Sequence, residues 1–329
     1  MSEPTPGPGE VLEPLHPHPA TPASPAPPRE KNDLPARLAT AAVLVPLVIW
    51  LVALGGLPYL AAVMGFVVLG QLELYRLIEE KGAHPLVAYG LAGGTALPLV
   101  AYLGSETHAT IVMTVTLLAV MIRQVGKEQI AEALVSISGT FFGVVYVGWL
   151  LAHAIVLRNF HRAVVAHFGQ GEAMRLGIVP GTGIFLVLFC LTAVVLCDAG
   201  AYFAGRRFGR RKLAPKISPS KSVEGAIGGL AAGTLGGLAA KGVFDLLWPE
   251  LSAALGWRAA AAIAFVVSVA GMIGDLVESL LKRDARTKDS GQLLPGMGGI
   301  MDRIDSPLLG IPVMYYLMLF TVFLEAGAG

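Results

Sequence analysis

The sequence predicts an all-α, polytopic membrane protein with about nine transmembrane helices behind a disordered, proline-rich N-terminal tail. Of its 329 residues, 54% are hydrophobic and only 14% are charged, far from the average of water-soluble proteins. From residue 38 onward the chain is a series of apolar runs, each close to the ~20 residues that cross a hydrocarbon core. Prolines crowd residues 1–36, which we therefore expect to be a disordered cytoplasmic tail.

The apolar runs define nine predicted spans and their orientation. These spans cover residues 38–55, 57–75, 86–104, 108–123, 132–157, 182–204, 225–247, 257–281 and 307–326. Lysines and arginines beside the first, second and fourth spans place the N-terminus in the cytoplasm by the positive-inside rule. The basic loops 206–221 and 282–289 then also face the cytoplasm. Segment 158–181 is basic although it would lie outside, so we expect part of it to be an amphipathic stretch at the interface.

The seventh span carries glycines at the four-residue spacing that lets helix backbones approach closely in lipid. These are Gly225, Gly229, Gly233 and Gly237. A dinucleotide-binding interpretation fails because no strand precedes them. We therefore predict a helix-packing face, and glycine-faced helices also leave a homodimer open.

Ionisable residues inside predicted spans point to a functional site. Asp275, Glu278, Ser279 and Lys282 fall at positions i, i+3, i+4 and i+7 of the eighth span and so share one helical stripe. Asp198 ends the sixth span. Charges in spanning helices are costly in lipid and usually face a protein interior or an aqueous cavity, where they have a function.

The segment DSGQLLPGMGGIMDRID, residues 289–305, predicts a site for a polyphosphate and a divalent ion. Its glycines let backbone amides approach a phosphate, while Asp302 and Asp305 offer hard oxygen ligands. Mg²⁺ is the expected cation because it needs few protein carboxylates and shares substrate phosphates; a second cation is left open. Neither a GxxxxGK[ST] loop nor a kinase motif set occurs, and the net charge of +1 predicts no nucleic-acid partner.

Two blocks of this chain resemble the phosphatidate cytidylyltransferase (CDP-diacylglycerol synthase) family. The C-terminal block matches at Ser279, Lys282, Arg283, Lys288, Asp289, Pro295, Gly298, Gly299, Asp302, Arg303 and Asp305. The upstream block matches at Asp198, Ala201, Tyr202, Gly205, Gly209, Ser218, Pro219, Lys221, Glu224 and Gly225. Ser222 replaces the commoner threonine and keeps its hydroxyl. Met297 replaces the family's histidine and cannot donate a proton.

The resemblance implies a reaction in which phosphatidic acid and CTP give CDP-diacylglycerol and pyrophosphate. It implies a transmembrane cytidylyltransferase domain at residues 37–329, with the catalytic part at about 196–306, in the inner membrane with its active site facing the cytoplasm. Asp275 and Asp302 are then the first choices for Mg²⁺ ligands. The second choices are Asp198, Asp289 and Asp305. Phosphate and substrate contacts are expected from Lys221, Lys282, Arg283, Arg303, Lys288, Ser218, Ser222, Ser279, Gly298 and Gly299.

Two other functions stay open. A CTP-dependent lipid or polyprenol kinase shares the nucleotide requirement but transfers the γ-phosphate and releases CDP. A catalytically impaired family member that binds lipid or nucleotide is supported by Met297. Retention of the intramembrane acids argues against it, because buried charges without a role are costly to keep.

Overall fold

A computed structural model describes residues 34–104, 106–127, 132–287, 290–291 and 298–326. Most of the predicted disordered tail lies outside these residues, and residues 34–36 already belong to the first helix. The N-terminal helices are α1 (Leu34–Leu54), α2 (Gly56–Glu79), α3 (Val87–Leu103) and α4 (Glu106–Val125). One continuous helix follows, made of α5 (Ala133–Gly143), a π-helical turn (Val144–Trp149) and α6 (Leu150–Arg158).

The second half of the chain begins with two short helices, α7 (Phe160–Phe168) and α8 (Gln170–Arg175). The long helix α9 (Thr182–Phe208) then leads into a hairpin of β1 (Lys212–Ala214) and β2 (Ser218–Ser222). Further on lie α10 (Val223–Leu247), α11 (Pro249–Ser252), α12 (Trp257–Asp284) and α13 (Met301–Ala326). The hairpin is antiparallel, pairs Lys212 with Ser222 and Ala214 with Ser218, and places β2 directly before α10.

These helices confirm an all-α, polytopic membrane architecture. Within the described residues, seven helices are long and apolar enough to cross a membrane. The described apolar part of α1, Ala42–Leu54, and α3 are shorter. A helix rises about 1.5 Å per residue, so an apolar stretch this short spans the hydrocarbon core only where the bilayer is locally thinner. Nine spans therefore stay a prediction, whereas seven are supported.

Small residues let α9 and α10 pack closely, as the glycine spacing predicts. A Cβ added at Gly229 would lie 2.8 Å from the carbonyl oxygen of Cys197, in α9. Ser222 caps the N-terminus of α10, because its hydroxyl accepts a hydrogen bond of 3.1 Å from the N–H of Gly225. The close contact positions β2, and with it Lys221, beside the end of α9.

Replacing Gly233 by alanine is expected to destabilise the fold by about 1–3 kcal/mol through overpacking. A Cβ there would lie 2.7 Å from the carbonyl oxygen of Ala193 and 2.9 Å from the Cβ of Cys197. Gly242→Ala, in the same helix, is the control because its nearest neighbour, an atom of Trp257, is 3.5 Å away. Thermal unfolding in detergent should show a lower midpoint for Gly233→Ala alone. Equal midpoints would contradict the tight α9–α10 contact.

The basic segment 158–181 uses two of its arginines at helix ends. Arg158 donates to the carbonyl oxygens of Val52 at 2.6 Å and Ala53 at 3.2 Å, in the last turn of α1. Arg175 pairs with Glu172 and donates to the carbonyl oxygen of Glu325 near the end of α13 at 2.9 Å. Terminal carbonyls of helices lack intrahelical partners and carry partial negative charge. The arginines thus satisfy helix C-termini, and the expected interfacial helix corresponds to α7.

Candidate active site

Three carboxylates form a compact cluster between α12 and α13. Ligand oxygens of Asp275, Glu278 and Asp305 all lie within 4.8 Å of one another. Asp275 and Glu278 share a face because they are three residues apart on α12. Gly274 allows α13 to approach, since a Cβ at that position would collide with the carbonyl oxygen of Asp305. The helix stripe predicted from the sequence therefore gains its third acid from a neighbouring helix.

Two lysines neutralise part of this negative charge. Lys221, from β2, pairs with Asp275 at 2.6 Å. Lys282 lies between two carboxylates, at 2.5 Å from Glu278 and 2.6 Å from Asp302. The side chains of Lys282 and Glu278 are only 14% and 1% exposed, so water screens this pair weakly.

A cavity of about 360 Å³ opens beside the acidic cluster. Its charged and polar lining includes Asp198, Tyr202, Arg206, Lys221, Ser222 and Asp275. A larger groove of about 580 Å³ lies between α2, α5 and α12. It is also lined by charged side chains, those of Lys81, Glu132 and Asp284, but its described lining includes none of the predicted site residues. The smaller cavity is therefore the candidate site, because predicted acids and a predicted base face it together.

Asp302 lies beside the three-carboxylate cluster, joined to Glu278 through Lys282, and accepts hydrogen bonds from several donors. One of its oxygens accepts from Lys282. The other accepts from the N–H of Gly299 at 2.8 Å and from the hydroxyl of Ser290 at 3.1 Å. Gly298 adopts a φ of +80°, a conformation that favours glycine. Both oxygens of Asp302 therefore accept hydrogen bonds from groups of the protein.

The other predicted residues fall into three groups. Arg283 donates to the carbonyl oxygen of Ile217 at 3.3 Å and so joins the end of α12 to the hairpin. The hydroxyl oxygen of Ser218 lies 3.4 Å from that of Ser220, which lines the cavity. Ser279 is half-buried and Arg303 is exposed. Outside the described residues lie Lys288, Asp289, Pro295 and Met297.

Two residues near this region were not predicted from the sequence. Glu73, on α2, is 1% exposed and accepts hydrogen bonds from the backbone at the start of α13. Tyr146, on the π-helical turn, is 6% exposed, and its hydroxyl has no hydrogen-bond partner among the described residues. Glu73 could have been found by the same signal as Asp275, because it is an acid inside an apolar span. No sequence signal marks Tyr146, since π-helical turns follow from packing.

The donor set fits Mg²⁺. Hard carboxylate oxygens from Asp275 and Asp305 are close together, and Mg²⁺ binds through one or two carboxylates with water and substrate phosphates completing its shell. Glu278 is the third carboxylate, and Lys282 pairs with it as Lys221 pairs with Asp275. Asp198 faces the same cavity as Asp275.

Taken together, the fold and site define a polytopic α-helical membrane protein with a mixed-charge site between α9, β2, α12 and α13. More particularly, the chain belongs to the cytidylyltransferase family, whose family model matches residues 35–321. It is similar to the phosphatidate cytidylyltransferase of Synechocystis sp., at 30% identity over 85% of this chain and 94% of that protein. The Bacillus subtilis phosphatidate cytidylyltransferase is 29% identical over 87% of this chain and 98% of that protein. The Haemophilus influenzae enzyme of the same name is 44% identical over 44% of this chain and 49% of that protein.

Proposed function

We propose that this protein is a phosphatidate cytidylyltransferase that converts phosphatidic acid and CTP to CDP-diacylglycerol and pyrophosphate. The observation that carries the proposal is the cavity lined by Lys221 and Asp275 beside a three-carboxylate cluster. The relatives that match 85% and 87% of this chain are both phosphatidate cytidylyltransferases, which supports the substrate class.

The reaction needs positioning and charge neutralisation more than a protein nucleophile. An oxygen of the lipid phosphate attacks the α-phosphorus of CTP, the bond from that phosphorus to the bridging oxygen breaks, and pyrophosphate leaves. Lys221 and Arg206 face the cavity and hold phosphate oxygens. Lys282 limits the negative charge of the cluster by pairing with Glu278. These residues place two anions close together despite their repulsion.

Mg²⁺ is proposed to be held by Asp275 and Asp305, with Asp198 available for a second cation. When bound, it neutralises charge on the triphosphate and on the leaving pyrophosphate. The clustering of carboxylate oxygens within 4.8 Å supports this assignment over the pair Asp275 and Asp302 expected from the sequence.

Removal of divalent ions with EDTA is therefore expected to abolish activity, and added Mg²⁺ to restore it.

The site is proposed to face the cytoplasm from the inner membrane. The exposed basic residues Arg206, Arg207, Arg210 and Arg211 lie at the same end of α9 as the cavity, and the positive-inside rule places such residues in the cytoplasm. A homodimer is retained as a proposal. Its interface is not the glycine face of Gly229 and Gly233, because α9 already covers that face within the chain.

Purified protein with phosphatidic acid, Mg²⁺ and CTP labelled separately at the α- and γ-phosphates tests the function. We expect the α-label in the lipid and pyrophosphate in solution. The γ-label in a lipid would instead establish a kinase. Binding of CTP or phosphatidic acid without any product would support an impaired family member, and reversion of Met297 to histidine would then be the next variant to assay.

A further inference from the structure

Glu73 is a buried carboxylate on α2, in the N-terminal half of the chain, and its hydrogen-bond donors lie at or near the start of α13. One of its oxygens accepts from the N–H of Ile300 at 3.0 Å. The other accepts from the N–H of Met301 at 2.8 Å and from the hydroxyl of Ser290 at 3.1 Å. The first N–H groups of a helix have no intrahelical partners and carry partial positive charge. A carboxylate at this position therefore fixes where α13 begins.

Ser290 connects Glu73 to the site. Its hydroxyl oxygen is 3.1 Å from an oxygen of Glu73 and 3.1 Å from an oxygen of Asp302. Because a serine hydroxyl has one proton, the two carboxylates share a single donor. Asp302 in turn accepts from Lys282, which pairs with Glu278 of the acidic cluster. A continuous path of hydrogen bonds and ion pairs thus runs from α2 to the cluster.

The space around Glu73 is built for its side chain. A Cβ at Gly291 would collide with one oxygen of Glu73, and a Cβ at Gly299 would lie 2.5 Å from the other. The chain thus keeps glycine on two sides of this carboxylate. Glycine at these positions allows residues 291 and 299 to lie directly against the Glu73 side chain.

We propose that Glu73 is a positioning residue for cytidylyl transfer. Glu73 holds the start of α13. Through Ser290 and Asp302 it also keeps Lys282 directed at Glu278. The position of Lys282 in turn sets the negative charge that the cluster offers to a cation at Asp275 and Asp305. The inference rests on the proposed function. It adds that the N-terminal helices, outside the predicted catalytic part at about 196–306, control that site.

The test compares Glu73→Gln with the wild type for kcat, for the Mg²⁺ concentration at half-maximal rate, and for the Mg²⁺-dependent shift of the unfolding midpoint. Glutamine keeps the size of the side chain but directs an N–H₂ group at the N–H donors of Ile300 or Met301. We expect kcat to fall and the required Mg²⁺ concentration to rise, each by roughly 10-fold to 100-fold, the usual effect of losing a residue that orients ligands. The midpoint shift with Mg²⁺ should shrink in parallel.

Gln71→Met is the matched control. Gln71 is buried on the same helix, and its amide donates to the carbonyl oxygen of Gly90 at 3.1 Å and to the hydroxyl of Tyr75 at 3.3 Å, both away from the site. Its replacement is expected to lower stability and leave the Mg²⁺ requirement within about twofold, because no ligand-orienting contact is lost. Ser290→Ala is the second test variant, since it cuts the path while both backbone bonds to Glu73 remain. It should raise the Mg²⁺ requirement in the same direction even if Glu73→Gln fails to fold.

The proposal would be overturned if Ser290→Ala kept the wild-type Mg²⁺ dependence and if Glu73→Gln and Gln71→Met changed the Mg²⁺ requirement equally. Glu73 would then be a purely structural anchor. The wild-type assay run in parallel separates this result from a failure of the proposed function. If the wild type transfers no α-label to lipid, the function is wrong. In that case the midpoint shift with Mg²⁺ alone still reports whether Glu73 acts on the cation site.

Discussion

Asp275→Asn is expected to lower cytidylyl transfer by roughly 100-fold to 1000-fold, the usual loss when one preorganised electrostatic contact of a transition state is removed. Asparagine has nearly the same shape as aspartate but no charge. The change removes a candidate Mg²⁺ ligand and leaves Lys221 without the carboxylate that lies 2.6 Å from it. Two contributions to phosphate binding are thus disturbed at once. The measurement is α-label transfer to lipid at saturating CTP.

Asp284→Asn is the matched control for that variant. Asp284 lies on the same helix, is 55% exposed, and pairs with Lys81 away from the cavity. An exposed ion pair contributes little, so transfer should stay near the wild-type rate. The unfolding midpoint of each variant in detergent shows whether it folds. A folded Asp275→Asn protein with wild-type turnover and wild-type Mg²⁺ dependence would remove Asp275 from the site.

Lys282→Met is expected to destabilise the protein by about 3–5 kcal/mol, because it leaves buried carboxylates without a cation. Lys282 is the shared partner of Glu278, 1% exposed, and Asp302, 11% exposed. Methionine retains much of the aliphatic stem, so the loss is chiefly electrostatic. Thermal and denaturant unfolding in detergent measure the effect.

Lys81→Met provides the comparison at an exposed pair. Lys81 is 46% exposed and lies 2.6 Å from Asp284, a distance equal to that between Lys282 and Asp302. Water screens this pair, so the loss should be at most about 1 kcal/mol. Similar destabilisation by the two substitutions would show that burial does not strengthen the Lys282 network.

The stripe on α12 shows why part of the site was predictable. Residues three and four apart on a helix must share a face, so Asp275, Glu278 and Lys282 could be grouped from their spacing alone. The residues that contact them from other parts of the chain could not be predicted in this way. Asp305 meets them because Gly274 lets α13 approach, and Lys221 reaches Asp275 because a short hairpin turns the chain back beside α9.

The contacts of Asp302 were not visible in the sequence. Its residue type and its position in a glycine-rich segment predict a ligand, which stays a prediction, and the structure adds that its oxygens accept from Lys282, Gly299 and Ser290. Glu73 shows the complementary case. It is 217 residues from Ser290 in sequence, and no local pattern specifies a contact at that separation. The acid in an apolar span was visible in the sequence, but its partner was not.

The amino-acid sequence was sufficient to predict the membrane class, the helical architecture and the approximate helix positions, and it contains the two charged blocks that mark the family. The first three follow from composition and from the 3.6-residue period, which act over a few turns of helix. Only the packed structure shows which carboxylates form the cluster, which lysines pair with them, and that Glu73 of α2 contacts the start of α13. Those contacts depend on how helices distant in sequence pack, and packing is set by the fit of the whole bundle rather than by any one segment.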